Sequence, residues 1–234
     1  MDNMDKAGDA INLTSAFAMV SHDIKNSLGI LLKFIGMLSE NCELEQCGMT
    51  HQCADMEYEV RRINNNLVKL LTLFKADEGV YLLNVDAHSV KDFLDEALLE
   101  HGVILRQKGI EYEVECDHEL YWYFDRNLMM GVMGNAISNA LRYTSDRIRL
   151  TAEASPRGLA IGVEDNGDGF PAGMLERQSG VMNPESGFLN NNTGLGLYFT
   201  QTVLDLHQHD GIRGHVKLAN HAEQSGGIFS ILLP

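Results

Sequence analysis

Two stretches in the first third of the chain carry apolar residues at helical spacing. In the first, the apolar positions step alternately by four and three residues, and they are Leu13, Phe17, Val20, Ile24, Leu31, Phe34 and Leu38. The second stretch repeats this step at Met56, Val60, Ile63, Leu67, Leu70 and Phe74. This heptad seam is typical of helices that pack against other helices. We therefore predict one helix from about Leu13 to about Glu40, a turn at 41–50, and a second helix that ends within 76–79.

Two such seams need more burial than one helical hairpin provides. We therefore expect a homodimer in which two hairpins form a four-helix bundle. The predicted boundaries are a flexible N-terminus at 1–10, the all-α hairpin at 11–78, a linker at 79–88 and a second domain at 89–234.

The second domain alternates short strand-like and helical patterns. Strands are predicted at 81–85, 110–116, 120–124, 147–154, 158–164, 216–218 and 228–233. Helices are predicted at 90–101, 196–207 and, with Asp125 as N-cap, 127–143, while 171–193 is predicted to be a mobile loop. Helices on one side of a mostly antiparallel sheet make this half an α+β sandwich.

The net charge of the chain excludes some kinds of binding partner. A net charge of −15 argues against nucleic acid and against an anionic membrane surface. The longest apolar stretch, Gly29–Leu38, is too short to span a bilayer and contains Lys33. The first residues show no signal-peptide pattern, so the sequence predicts a cytoplasmic protein without membrane insertion.

Four cysteines fit a reducing compartment, because none of them shows C-x-x-C spacing. Three of them, Cys42, Cys47 and Cys53, cluster around His51. Free thiols are the simpler interpretation, and a metal or redox-sensing site stays open as an alternative. Cys116 is predicted to be an ordinary thiol.

His22 is the candidate nucleophile of the first helix. It flanks the seam two residues after Val20, and Asn26 shares its helical face because it lies four residues further on. An imidazole fixed on a rigid helix, with a carboxylate and an amide nearby, can act as a nucleophile. This segment alone also fits a surface histidine without a role.

Three polar clusters in the second domain favour a nucleotide site. The first cluster is Asn135, Asn139, Arg142 and Tyr143, most of which line one helical face, and it offers amide ligands for Mg²⁺ and a cation for phosphate. Asp165-Asn-Gly167-Asp-Gly169-Phe170 follows a predicted strand, where a carboxylate can accept a hydrogen bond from an amine. Thr193-Gly194-Leu195-Gly196-Leu197 opens a helix, whose free N–H groups favour phosphate. Each cluster alone also fits a polar helix face, a surface turn or an ordinary helix start.

In this order, the motifs resemble the catalytic core of two-component sensor histidine kinases. Residues 17–28 resemble the H box, 135–144 the N box, and 165–170 and 194–197 the two glycine boxes, so that the resemblance covers about 12–234. It implies a dimerisation and phosphotransfer hairpin followed by an ATP-binding domain of the gyrase, heat-shock, histidine-kinase and mismatch-repair type. It also implies ATP and Mg²⁺ as cofactors.

The resemblance implies a role for each matching residue. His22 would be phosphorylated, Asp23 would orient its imidazole, and Asn26 would orient water for phosphatase activity. Asn139, with Asn135 nearby, would bind Mg²⁺, Arg142 would contact phosphates in place of the more usual Lys, and Tyr143 would pack near the nucleotide. Asp165 would bind the adenine amine, while Gly167, Gly169, Gly194, Leu195, Gly196 and Leu197 would shape the pocket and its lid.

The implied partners are a second copy of the chain and a response-regulator receiver domain. Because no sensor domain precedes the hairpin in this sequence, we expect either input from a separate sensor protein or a sequence that is part of a longer chain. Several positions depart from the family pattern, since Ser27 replaces a common Pro, only Phe188 represents the Phe-rich box, and Gln-His-Asp-Gly follows His207. The main alternative is a histidine-phosphotransfer adaptor that does not use ATP, although such proteins tend to lose the glycine boxes. A serine kinase or ATP-driven clamp of the same superfamily would leave the hairpin unexplained.

Overall fold

The computed structural model of the protein describes residues 24–38, 50–177, 194–222 and 225–234. The chain divides into two compact units, residues 1–81 and 82–234. The first unit contains the helices α1, whose described part is 24–38, and α2, Thr50–Asp77. The predicted turn at 41–50 lies outside the described residues except for Thr50.

Within the single chain, the buried residues of α1 are not those of the predicted seam. Leu28 and Ile35, seven residues apart, are buried. In contrast, Ile24, Leu31 and Leu38 of the predicted seam are 41%, 49% and 52% exposed. The single chain therefore leaves these seam residues uncovered, and their burial in a bundle stays a prediction.

The α2 helix shows the same pattern. Met56, Ile63 and Leu70, again seven residues apart, are 43%, 49% and 41% exposed, whereas Val60, Leu67 and Phe74 are half-buried. Each helix thus carries one line of heptad-spaced apolar side chains that the single chain leaves in contact with solvent. The four-helix bundle stays a prediction.

The second unit contains seven strands and five helices in its described residues. The strands are β1 Val85–Ser89, β2 Glu111–Cys116, β3 Tyr121–Asp125, β4 Arg147–Ser155, β5 Gly158–Asp165, β6 His215–Asn220 and β7 Gly227–Leu233. The helices are α3 Val90–Leu99, α4 Gly102–Lys108, α5 Arg126–Tyr143, α6 Ala172–Arg177 and α7 Gly194–Leu206.

A five-stranded sheet in the order β2-β4-β5-β7-β6 forms the centre of this unit, and β1 pairs with β3 in a separate antiparallel ribbon. All pairs in the large sheet are antiparallel except β2 with β4. One row across the sheet contains Leu150, Val163, Phe229 and Leu218, all buried, and helices α3, α5 and α7 contact its strands.

The neighbouring row is polar. Arg149 pairs in register with Glu113 and Glu164, and its guanidinium lies 2.7 Å from the Glu164 carboxylate and 3.2 Å from that of Glu115. Because successive residues of a strand point to opposite faces, this row belongs to the face away from the apolar row. The prediction of a mostly antiparallel sheet with its helices to one side is therefore confirmed.

Three local predictions need correction. The first strand is Val85–Ser89 rather than 81–85, so most of β1 lies within the predicted linker. The predicted helix 90–101 ends at Leu99, and a further short helix, α4, begins at Gly102. Residues 172–177 of the predicted loop 171–193 form α6, and 178–193 lie outside the described residues.

The start of α5 is fixed by the buried carboxylate of Asp125. Its Oδ1 accepts hydrogen bonds from the N–H groups of Asn127 and Leu128, both at 3.1 Å, as an N-cap does. Its Oδ2 accepts from the N–H of Asn84 at 3.0 Å. One side chain thus joins β3, α5 and the residues that precede β1.

Candidate functional site

A small cavity lies between α5, β5 and α7. Its free volume is about 20 Å³, enough for about one water molecule. Among the predicted site residues, Asn139, Asp165 and Leu197 line it. The other lining residues are Ala136, Ala140, Val163, Phe170, Met174, Leu218 and Phe229, so that apolar walls surround one amide and one carboxylate.

Asp165 is the last residue of β5, and its side chain lies on the buried face of the sheet. Its Oδ1 accepts a hydrogen bond from the N–H of Gly167 at 2.9 Å. A Cβ atom added to Gly227 would lie 2.9 Å from its Oδ2. A carboxylate held in an apolar cavity by such contacts is suited to accept a hydrogen bond from a planar amine.

Close backbone approaches explain two of the glycines around this carboxylate. A Cβ atom on Gly167 would overlap the carbonyl oxygen of Tyr143, and one on Gly226 would overlap the carbonyl oxygen of Asp165. The sequence predictions included Gly167 but missed Gly226 and Gly227. The only local signal for these two is a pair of adjacent glycines directly before the last predicted strand.

The loop after Asp165 is tied to the structure on both sides. On one side, Asn166 Oδ1 accepts hydrogen bonds from Thr144 Oγ1 at 2.9 Å and from the N–H of Arg147 at 3.1 Å. On the other side, the side chain of Asn220 bonds to the backbone of Phe170. Gly169 adopts a φ of +79°, a left-handed conformation that favours glycine.

Asn135 joins α5 to the first turn of α7. Its Nδ2 donates to the carbonyl oxygen of Gly196 at 3.3 Å, and Thr200 Oγ1 donates to the same oxygen at 2.9 Å. Deeper in this helix pair, Gly131 faces the ring of the buried Phe199. The structure thus brings the predicted asparagine face and the second glycine motif together.

Other predicted residues lie apart from the cavity. Arg142 and Tyr143 are exposed at the end of α5, and neither lines the cavity. Gly194 and Leu195 lie in the first turn of α7, whose backbone N–H groups have no partner further back in the helix. Asn26 is exposed on α1, whereas His22, Asp23 and Phe188 lie outside the described residues.

The cysteine cluster also falls largely outside the described residues. This applies to Cys42, Cys47 and the side chains of His51 and Cys53, so the alternative of a metal or redox site there stays open. Cys116 carries a free thiol, and burial raises the pKa of that thiol.

His207, at the end of α7, was not predicted as a site residue but makes a buried link to α5. Its Nε2 accepts from the N–H of Asp125 at 2.9 Å, so its Nδ1 carries the proton and donates to the carbonyl oxygen of Val203 at 2.8 Å. Burial lowers the pKa of His207, which favours the neutral imidazole that this pair of bonds requires.

The amide side chains beside the cavity are candidate oxygen ligands for a magnesium ion. Among the described residues, no group of three His, Cys, Asp or Glu side chains converges to hold a metal. Asn139 lines the cavity, and Asn135 lies one helical turn before it. Mg²⁺ commonly takes one or two protein oxygens together with substrate phosphates and water.

Comparison with known proteins identifies a family of ATPases that is similar to most of the second unit. Residues 124–234 match the family described as Histidine kinase-, DNA gyrase B-, and HSP90-like ATPase. Histidine kinase P4 of Formosa agariphila is 23% identical over 93% of this chain and 16% of its own length. Sensor protein PhoQ of Escherichia coli O157:H7 is 24% identical over 67% of this chain and 31% of its own length.

Residues 124–234 are therefore similar to the ATPase domains of histidine kinases, and the curated relatives described above are named as a histidine kinase and a sensor protein. The fold of the chain is also similar to that of a solved structure. Full-length ShkA in complex with AMPPNP matches 94% of this chain and 46% of its own, with 17% identity and a TM-score of 0.64.

The chain spans less than a third of the length of either curated relative described above. Within the described ranges, none of its helices combines the length and apolar character that crossing a bilayer requires.

Proposed function

We propose that this chain is a histidine autokinase that transfers the γ-phosphoryl group of ATP to His22, and then to an aspartate of a response-regulator receiver domain. The observation that carries the proposal is the cavity that Asp165 and Asn139 share. The complex of the similar ShkA core with AMPPNP supports nucleotide binding in this fold.

The adenine ring would enter between the apolar walls of the cavity, with its amine donating to the Asp165 carboxylate. Because the cavity holds only about 20 Å³, Phe170, Met174 or Leu197 must move outwards to admit a purine. Of these three, Phe170 and Met174 belong to the loop and short helix that follow Asp165. Asp165 itself is held by β5, so its carboxylate can stay in place while this wall moves.

The phosphates would extend towards the contact between Asn135 and the first turn of α7. Free N–H groups and the positive end of the helix dipole favour phosphate oxygens there. Asn139 and Asn135 would hold Mg²⁺, which neutralises phosphate charge when bound. Arg142 is exposed at the end of the same helix, where its guanidinium can reach an anionic group.

In the transfer step, a ring nitrogen of neutral His22 attacks the γ-phosphorus. The N–P bond forms as the bond to the β–γ bridging oxygen breaks, and ADP leaves. Asp23 would orient the imidazole and accept its proton. Asn26 would orient the water that removes phosphate from the receiver. This role rests on its position four residues after His22, one helical turn along the chain.

Dimerisation is the part of the proposal that the first unit supports. The two exposed lines, Ile24/Leu31/Leu38 and Met56/Ile63/Leu70, are apolar surface at the spacing that helix bundles bury. We propose that a second copy covers them. Ile63→Glu should convert a dimer to a monomer in sedimentation velocity, whereas Val103→Glu, at a similarly exposed position of α4, should not. A dimer that survives the Ile63 change would contradict this assignment.

The decisive experiment labels the protein with [γ-³²P]ATP and Mg²⁺. Wild type should acquire an acid-labile, base-stable label, while His22→Gln and Asn139→Ala should not. Equal labelling of His22→Gln would reject the phosphorylation site. If a fluorescent ATP analogue showed no Mg²⁺-dependent binding to wild type, the ATP-independent adaptor would be favoured instead.

Asp165→Asn tests the adenine contact separately. Loss of a charge-assisted hydrogen bond, worth about 1.5–3 kcal/mol, should weaken binding by roughly 10- to 150-fold. Asp168→Asn is the matched control, because Asp168 is exposed in the same loop and does not line the cavity. Equal affinities of the two variants would contradict the role of Asp165.

The phosphatase role has its own test. Phosphorylated receiver domain should lose phosphate more slowly with Asn26→Ala than with wild type. Asn66→Ala, an exposed asparagine of α2, is the control. Identical decay with all three proteins would remove Asn26 from the proposal and leave the kinase reaction untouched.

A further inference from the structure

Asn220, the last residue of β6, makes two hydrogen bonds to one backbone position of the loop after Asp165. Its Oδ1 accepts from the N–H of Phe170 at 2.7 Å, and its Nδ2 donates to the carbonyl oxygen of Phe170 at 2.9 Å. The side-chain amide thus satisfies both backbone groups of Phe170, as a neighbouring strand would. The two residues are 50 positions apart in the chain.

The bonded residue is part of the cavity wall. The ring of Phe170 lines the cavity, and so does Met174 of α6. The first turn of α6 continues directly from this point, since the N–H of Met174 donates to the carbonyl oxygen of Pro171 at 2.8 Å. The hydrogen bonds to the Phe170 backbone therefore hold the first residue of the cavity wall that Phe170 and α6 form.

Asn220 is also close to the carboxylate side of the cavity. It pairs in register with Gly227, whose added Cβ would lie 2.9 Å from Asp165 Oδ2 and 2.9 Å from the Phe170 ring. The glycine before Phe170 lies against the same amide, since a Cβ on Gly169 would meet Asn220 Oδ1 at 2.8 Å. The end of β6 thus supports the loop at consecutive positions.

We propose that Asn220 is a positioning residue for nucleotide binding, which sets the distance between the Asp165 carboxylate and the opposite apolar wall without touching the nucleotide. This inference rests on the proposed function of the cavity. The Asn166 network holds the beginning of the loop, and Asn220 holds its end. Without the two hydrogen bonds from Asn220, the backbone of Phe170 is no longer held in place, and neither are the Phe170 and Met174 side chains that line the cavity. Asp165 keeps its own contacts.

The test compares three variants of the full chain with wild type, by titration of a fluorescent ATP analogue and of adenosine. Asn220→Ala removes both bonds, and Asn220→Asp keeps the size and one acceptor but replaces the donor with an oxygen that faces the Phe170 carbonyl. The control is Ser155→Ala, because Ser155 Oγ also makes two bonds to backbone, to Gly158 and Arg157, in a distant exposed turn.

Asn220→Ala and Asn220→Asp should each weaken binding of both ligands by about tenfold, the equivalent of one to two hydrogen bonds. Ser155→Ala should bind as wild type does. Adenosine carries no phosphate, so a parallel loss for adenosine excludes simple repulsion by the new carboxylate. Amide exchange at Phe170 should accelerate in both Asn220 variants and not in Ser155→Ala.

Wild-type affinity in either Asn220 variant would overturn the inference and leave the proposed function intact. An equal loss of affinity in Ser155→Ala would also overturn it, because the effect would then follow general destabilisation. Failure of wild type itself to bind either ligand would overturn the proposed function, and this inference with it.

Discussion

Gly131 and Gly134 lie on the same helix, α5, and replacing each by alanine separates helix propensity from packing. Glycine in a helix interior is less favourable than alanine by about 1 kcal/mol. At Gly134 an added Cβ meets no atom within 4 Å. Gly134→Ala should therefore stabilise the second unit by close to the full propensity difference.

At Gly131 the same gain is opposed by the neighbouring helix. The new Cβ would lie 3.1 Å from both Cε1 and Cζ of Phe199, whose ring is fully buried and so has little room to move. Inserting a methyl group into such a contact costs about 1–3 kcal/mol. Gly131→Ala should therefore leave the free energy of unfolding unchanged or lower it by up to about 2 kcal/mol.

The assay is thermal unfolding of the full chain, monitored by a probe of the second unit, together with nucleotide titration. We expect thermal midpoints to rise by about 2–4 °C for Gly134→Ala and to stay level or fall for Gly131→Ala. Because Asn135 contacts Gly196 across the same helix pair, Gly131→Ala should also weaken nucleotide binding. If both variants were stabilised equally with unchanged affinity, the described packing of α5 on α7 would be refuted.

Three further predictions follow from single residues. Burial lowers the pKa of His101 to about 4. The free energy of unfolding should therefore fall by up to about 3 kcal/mol as the pH drops from 6.5 towards 4, because the unfolded chain takes up a proton that the folded chain does not. In urea unfolding, His101→Gln should flatten this pH dependence, and an unchanged pH profile would contradict the assignment. Asp125→Ala should lower the free energy of unfolding by about 3 kcal/mol, since the N-cap and Asn84 N–H groups lose their acceptor, and a loss below about 0.5 kcal/mol would speak against the junction. Gly227→Ala should weaken nucleotide binding at least about tenfold, because its methyl group would press on Asp165, and wild-type affinity in titration would disprove this contact.

Local patterns predicted much of the second unit well. The N-cap at Asp125 and the apolar period that follows placed α5 to within one residue. The turn at 155–158 placed the β4–β5 hairpin, because its turn residues separate two clear strand patterns. The three polar clusters were predicted as one site, and Asn139, Asp165 and Leu197 do line one cavity.

What the sequence could not predict depends on contacts between distant residues. Periodicity shows that α1 has apolar faces, but it does not show which face packs within the chain and which is left exposed, as Leu28 and Leu31 illustrate. Asn220 had no local signal and Gly227 only its place in a pair of adjacent glycines, because their roles depend on the register of β6 and β7 beside the Asp165 loop. The short helix α4 was missed because its seven residues show too little periodicity.

The Asp125 junction has a practical consequence for dissecting this protein. A fragment that begins at residue 89, the boundary predicted from the sequence, would lack most of β1 and the Asn84 N–H that the junction binds. Its β3 strand would lose its hydrogen-bonded neighbour and expose the ring of Phe124, which stacks beside His88. A fragment that begins at residue 82 would instead keep Asn84 and all of β1, and we expect it to fold separately.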